Sequence, residues 1–222
     1  MRPPVVNRTQ VPPVPSAALT PGQLARRQRV IDAALALTRH REFNRIQVKD
    51  VAEEAGVALG TVYHYFSSKD HLFAEALVSW AATFQASVAR HPLAGTTPAE
   101  RLTETMHRTV RAFQRQPHLA KLVATLEVSS DPFATEILQR LDRATSDVYM
   151  AAVEGIDPDS AAQVVWVVET VLSSLLRSWS AGRLSILDVY SRLDEVVSLV
   201  LDPPIGRGPS GRDGRADDRA DN

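Results

Sequence analysis

Between Leu59 and Lys69 the sequence gathers side chains suited to a polyanion: Gly60, Thr61, Tyr63, His64, Tyr65 and Lys69, with no carboxylate before Asp70. Hydroxyls, phenols, an imidazole and an ammonium can bond phosphate oxygens and base edges, and a glycine lets the backbone come close. Lys69 opens the next helical segment, where backbone N–H groups without intrahelical partners also favour an anion. A second set is Glu100, Glu104 and His107, at i, i+4 and i+7 of one helix face, with the Glu-x-x-His spacing used by carboxylate-bridged metal enzymes. A di-metal centre needs a second such motif on a facing helix, and the sequence offers none. Glu104 can instead pair with Arg108 at i+4, so a solvated helix face is the better account. There is no cysteine, which removes thiolate metal sites, disulfides and cysteine nucleophiles. No nucleophile elbow and no glycine-rich phosphate loop occurs. The residues point to binding and not to catalysis, with no cofactor or metal called for.

The elements that must position the first set are helical. Helix-start signatures recur at Thr20-Pro21, Ser67-Ser68-Lys69-Asp70, Thr97-Pro98, Asp131-Pro132, Asp157-Pro158 and Ser185-Ile186-Leu187-Asp188. In each, a side-chain oxygen can accept from a first-turn N–H, and proline at the first position loses nothing by lacking one. Apolar spacing near 3.6 predicts helices at about 21–40, 47–55, 59–65, 68–90, 98–116, 118–129, 132–154, 158–181 and 185–201, and no sheet. Val48, Val51, Ala52 and Ala55 form the inner stripe of one short helix, which Gly56 stops. Another short helix follows after Val57-Ala58, with Leu59, Val62 and Phe66 expected inward. A helix-turn-helix needs this pairing and this short glycine-containing turn.

The run from Ala55 through Leu72 resembles the TetR-family DNA-binding signature, with Arg26 to Phe43 as the family's first helix. The resemblance covers about residues 24–77. It implies an all-α protein with an N-terminal three-helix helix-turn-helix domain and a C-terminal helical ligand-binding and dimerisation domain. It implies further that Thr61, Tyr65 and Lys69 grip phosphates while Gly60, Tyr63 and His64 approach the bases of operator DNA. Gln47 stands where the family usually opens its second helix with Thr or Ser. It can reach a phosphate, but its capping role departs from the pattern. Residues 1–90 carry 11 Lys/Arg against 7 Asp/Glu, and residues 91–222 carry 14 against 19, so the positive half coincides with the DNA-facing motif.

The expected organisation is a disordered tail at 1–19, a DNA-binding domain at 20–67, a sensor and dimer domain at 68–202 joined through helix 68–90, and a disordered tail at 203–222. Arg2 and Arg8 could touch DNA, although solvated disorder is the simpler expectation. Helix 158–181 is apolar nearly all round and helix 185–201 carries an apolar stripe, so the two are expected to pair with their copies in a homodimer. Met106, Val110, Phe113, Leu122, Leu126, Leu141, Tyr149 and Trp166 are candidates for lining an effector cavity, with ordinary core as the alternative for any one of them. Residues 97–117 are similar to the KstR branch of the family, repressors of steroid catabolism. That similarity implies release from DNA by a lipid-like or acyl-CoA effector, with another hydrophobic ligand such as a drug as the alternative. Nothing resembles a signal peptide or a membrane span, so the cytoplasm is the expected location.

Overall fold

The structure, a computed structural model, describes residues 14–90, 93 and 95–201. Helix α1 (Pro21–Thr38) begins on a Thr20 cap whose hydroxyl accepts from the Gln23 N–H, while the Gln23 side chain accepts from the Thr20 N–H. A 3-10 turn (Phe43–Arg45) leads to α2 (Val48–Glu54) and then α3 (Leu59–Tyr65). Gly56, at φ +64°, makes the turn between them in a conformation other residues resist. The remaining helices are α4 (Lys69–Arg90), α5 (Pro98–Arg115), α6 (Pro117–Leu126), α7 (Pro132–Ala152), α8 (Pro158–Ser180) and α9 (Ile186–Leu201). All nine expected helices are present among the described residues, and no β-strand is.

Two apolar cores organise these helices. The first joins α1, α2, α3 and the first half of α4 to Leu119, Leu122 and Leu126 of α6 and Ala134 and Ile137 of α7. The second gathers Leu102, Met106 and Val110 of α5, Tyr149 and Ala152 of α7, and the inner faces of α8 and α9. The first four helices therefore share their core with α6 and α7 instead of hanging from a bare linker. Leu19, assigned to the tail by sequence, is 9% exposed and belongs to the first core. Residues 1–13 and 202–222, including Arg2 and Arg8, lie outside the described residues. No helix among the described residues is long and apolar enough to cross a membrane.

Candidate nucleic-acid interface

Helix α3 is held by one buried side and leaves the other open. Val62, Tyr65 and the following Phe66 are at most 2% exposed, and Phe66 is covered by the Arg27 guanidinium 5.1 Å from its ring centre. Arg27 is itself anchored to Glu75 at 2.6 Å, which fixes α1 against α4. On the open side Gly60, Tyr63 and His64 are exposed, Tyr63 at 53%, with Thr61 half-buried beside them. A helical glycine costs about 0.5–1 kcal/mol relative to alanine. A Cβ at Gly60 would meet no protein atom within 4 Å, so nothing inside the protein requires the glycine. Ahead of α2, Gln47 is exposed. The Asp50 carboxylate accepts from its N–H at 2.9 Å, the reciprocal half of a capping box in which Gln47 stands at the N-cap of α2.

Three expectations need correction. Leu59 was expected inward and Tyr65 outward; Leu59 is 43% exposed and Tyr65 is buried at 2%. A helix of seven residues turns its inner face quickly, and the i, i+3, i+4 set here runs Val62, Tyr65, Phe66. Lys69 does not project freely. Its Nζ donates to the Phe43 carbonyl at 2.5 Å and lies 3.8 Å from the Phe43 ring centre, where burial depresses its pKa. A lysine so held ties α4 to the loop before α2, and must leave that site to grip a phosphate.

The effector candidates are not assembled round one cavity. Met106, Val110 and Tyr149 lie in the second core, Leu122 and Leu126 in the first, and Phe113 packs against both. Leu141 packs against the first core, while Trp166 is 68% exposed on α8 and is no part of an interior lining. α8 is thus not covered all round, and this tryptophan stands on its outward side. Residue spacing offers no sign of a buried hydroxyl pair, Thr109 and Tyr149, 3.1 Å apart across α5 and α7. Thr109 also donates to the Thr105 carbonyl at 3.1 Å, so Tyr149 is the donor in the pair. Burial pushes the Tyr149 phenol well above its ordinary pKa and keeps it neutral.

The Glu100, Glu104 and His107 set does not converge on a metal. The Glu100 carboxylate accepts from the Thr96 and Thr97 N–H groups, Glu104 pairs with Arg108 and Arg111, and His107 meets Asp194 of α9 at 2.7 Å. Among the described residues no three His, Asp or Glu side chains are grouped to hold a metal ion.

His71, in the first turn of α4, is 5% exposed and its Nδ1 accepts from the Ser67 N–H at 3.1 Å. Burial lowers its pKa from the ordinary 6.5, with Arg27 and Arg140 acting in the same direction and Glu75 and Asp131 opposing. Below about 6.5 the unfolded chain takes up a proton that the folded chain refuses, so stability falls as the pH drops from that value toward the folded pKa. Urea midpoints at pH 7.5 and 5.5 should differ more for the wild type than for His71→Gln. Equal differences would show that His71 is not the source.

An all-helical chain with a short glycine-turn helix pair, and an outward helix face lacking carboxylates, is a helix-turn-helix DNA-binding protein. It belongs to the TetR family of bacterial regulatory proteins: residues 30–76 match that family's DNA-binding domain, and residues 95–200 match a tetracyclin repressor-like C-terminal domain. The chain is 32% identical over 180 residues to the HTH-type transcriptional repressor KstR of Mycobacterium tuberculosis, covering 81% of this chain and 82% of that one. It is 33% identical to KstR of Mycolicibacterium smegmatis, covering 81% of this chain and 88% of the relative. A TetR transcriptional regulator from Rhodococcus sp. RHA1 superimposes with a TM-score of 0.71 at 26% identity, over 81% of this chain and 97% of the other.

Proposed function

We propose that the protein is a dimeric, cytoplasmic repressor that binds a palindromic operator through α3 and is released by a hydrophobic effector entering the α5–α8 helices. The open face of α3 carries this proposal: Gly60, Thr61, Tyr63 and His64 on a helix whose other side is locked into the core. One such helix reads three or four base pairs, too few for selectivity, and a two-fold dimer doubles the contacts at half-sites about 34–36 Å apart. Gln47 supplements the grip from the start of α2, and Lys69 does so once it leaves Phe43. Dimerisation is supported by large apolar side chains left in solvent on the last two helices: Trp166 at 68%, Leu187 at 74% and Leu199 at 63%. α8 and α9 form an antiparallel pair about the turn at Gly182, so Trp166 and Leu199 fall at matching distances from it.

For the effector, the second core is apolar around one neutral hydroxyl pair, which suits a bulky lipid-like molecule with a carbonyl or hydroxyl. The 32% identity to KstR is the comparison that favours this class, and an acyl-CoA thioester is its first candidate. Mobility shifts on upstream DNA with sterol-derived and long-chain acyl-CoA thioesters test it. A thioester that releases DNA at micromolar concentration, and loses that effect in Tyr149→Phe or Thr109→Val, supports the class. Release only by a cationic or aromatic drug would replace it.

A further inference from the structure

Helix α7 runs through both cores. Its Ala134 and Ile137 are packed with the DNA-side helices, and its Tyr149 and Ala152 with the sensor helices. Its 21 residues make a rod about 30 Å long. A displacement at the Tyr149 end must therefore be felt at the Asp131 end. That end is bonded, group by group, to the turn that closes α3.

Asp131 divides its two oxygens between two tasks. Oδ1 caps α7, accepting from the Phe133 and Ala134 N–H groups at 2.8 and 3.2 Å. Oδ2 accepts from the hydroxyl of Ser67, the residue that follows the C-cap of α3, at 3.4 Å. Next to it, Ser129 Oγ donates to Asp70 at 2.5 Å and accepts from the Asp131 N–H at 3.2 Å. His71 completes the junction: it accepts from the Ser67 N–H, stacks on Phe133 of α7 at 5.5 Å and 18°, and takes Phe66 edge-on at 5.5 Å. Asp131 is 7% exposed. Burial alone would raise its pKa, but bonds from Ser68, Ala134 and Phe133 and the proximity of His71 outweigh it and keep the carboxylate ionised.

We propose that Asp131 is a positioning residue for the recognition helix, and that its joint with Ser67, Ser129, Asp70 and His71 carries movement of α7 to α3. The inference rests on α3 being the DNA-reading helix. Hydrogen bonds of this kind weaken steeply with misalignment, so a small shift of α7 breaks the joint instead of stretching it. The recognition helix then has a held and a released pose, which is what coupling between two sites requires.

Substitutions can separate the two tasks. Asp131→Ser retains a good cap for α7 but has no second oxygen to reach Ser67, while Ser67→Ala removes the same bond from the other side and leaves Ser68 to cap α4. In the full-length protein each should weaken operator binding about 5- to 20-fold while leaving the melting temperature and the salt dependence close to wild type. The double variant should lose clearly less than the sum of the two single losses, because the Ser67–Asp131 bond is common to both, while Asp131→Ser also gives up the bond from Ser68 and Ser67→Ala the 3.1 Å contact of its hydroxyl with His71. Asp131→Asn, which keeps a polar atom on each branch, should restore most of the affinity. Operator binding should slow hydrogen exchange at Phe133 and Ala134 in the wild type and not in Asp131→Ser, a readout that a purely structural cap would not move. Unchanged affinity in Asp131→Ser, additive losses in the double variant, or exchange at Phe133 and Ala134 that ignores the operator would each overturn the proposal. A wild type that binds no operator would overturn the assignment of α3 itself, and the joint's role with it.

Discussion

Tyr63→Ala combined with His64→Ala abolishes sequence-specific DNA binding and leaves the protein folded. Tyr63 is 53% exposed, and His64, also exposed, touches its own domain through an edge contact on Tyr65 at 5.1 Å. Substitutions at such positions change stability by about 0.5 kcal/mol or less, and alanine is the better helix former at both. The same side chains are the largest groups on the outward face of α3. A base contact is worth about 1–3 kcal/mol, and a dimer uses each of the two twice, about 4 kcal/mol at the least, so operator affinity should fall by about 1,000-fold or more. Non-specific, salt-sensitive binding should survive, since it comes from the cations of the N-terminal half. Fluorescence anisotropy with specific and scrambled duplexes separates the two. A double variant that still prefers the operator over the scrambled duplex would move the reading surface away from α3.

Trp166→Glu with Leu199→Glu should leave the chain monomeric and, through that, remove operator selectivity, if α8 and α9 form the proposed dimer face. Both positions are mainly in solvent in the isolated chain, at 68% and 63%, so the monomer tolerates the charges. Buried in an α8–α9 interface, a carboxylate without a partner is strongly disfavoured, and its copy lies across a two-fold axis. A monomer keeps one α3 and half of the contacts. Affinity should then fall from the range typical of specific sites, about 10⁻⁸–10⁻¹¹ M, toward the 10⁻⁴–10⁻⁶ M of non-specific binding, a loss of about 100-fold or more. Sedimentation velocity gives the mass and anisotropy the affinity. A variant that stays dimeric would place the interface elsewhere.

The sequence was most legible where local chemistry decides. Thr20-Pro21, Thr97-Pro98, Asp131-Pro132 and Asp157-Pro158 all marked true helix starts, because the cap oxygen and the first-turn proline act within four residues. Gly56 likewise announced its turn. Facing was less legible in short helices: α3 spans under two turns, and periodicity alone could not separate Leu59 from Tyr65 as the buried member. Long-range placement was not legible. That Lys69 bends back to Phe43, that Trp166 stands outside, and that the effector candidates divide between two cores all depend on which helices meet, a matter that spacing along one chain does not contain. Asp131 shows both sides. Its role as a cap could be read from Asp131-Pro132, but its second oxygen reaches a residue 64 positions away.

The most direct test of the central claim is footprinting of the purified protein on its own upstream DNA at moderate salt. Protection of a palindrome, with half-site centres about one helical turn or a small multiple of it apart and lost in the Tyr63→Ala, His64→Ala variant, is the predicted result. A folded dimer that protects no site, or protects DNA equally along its whole length, would contradict a sequence-reading role for α3.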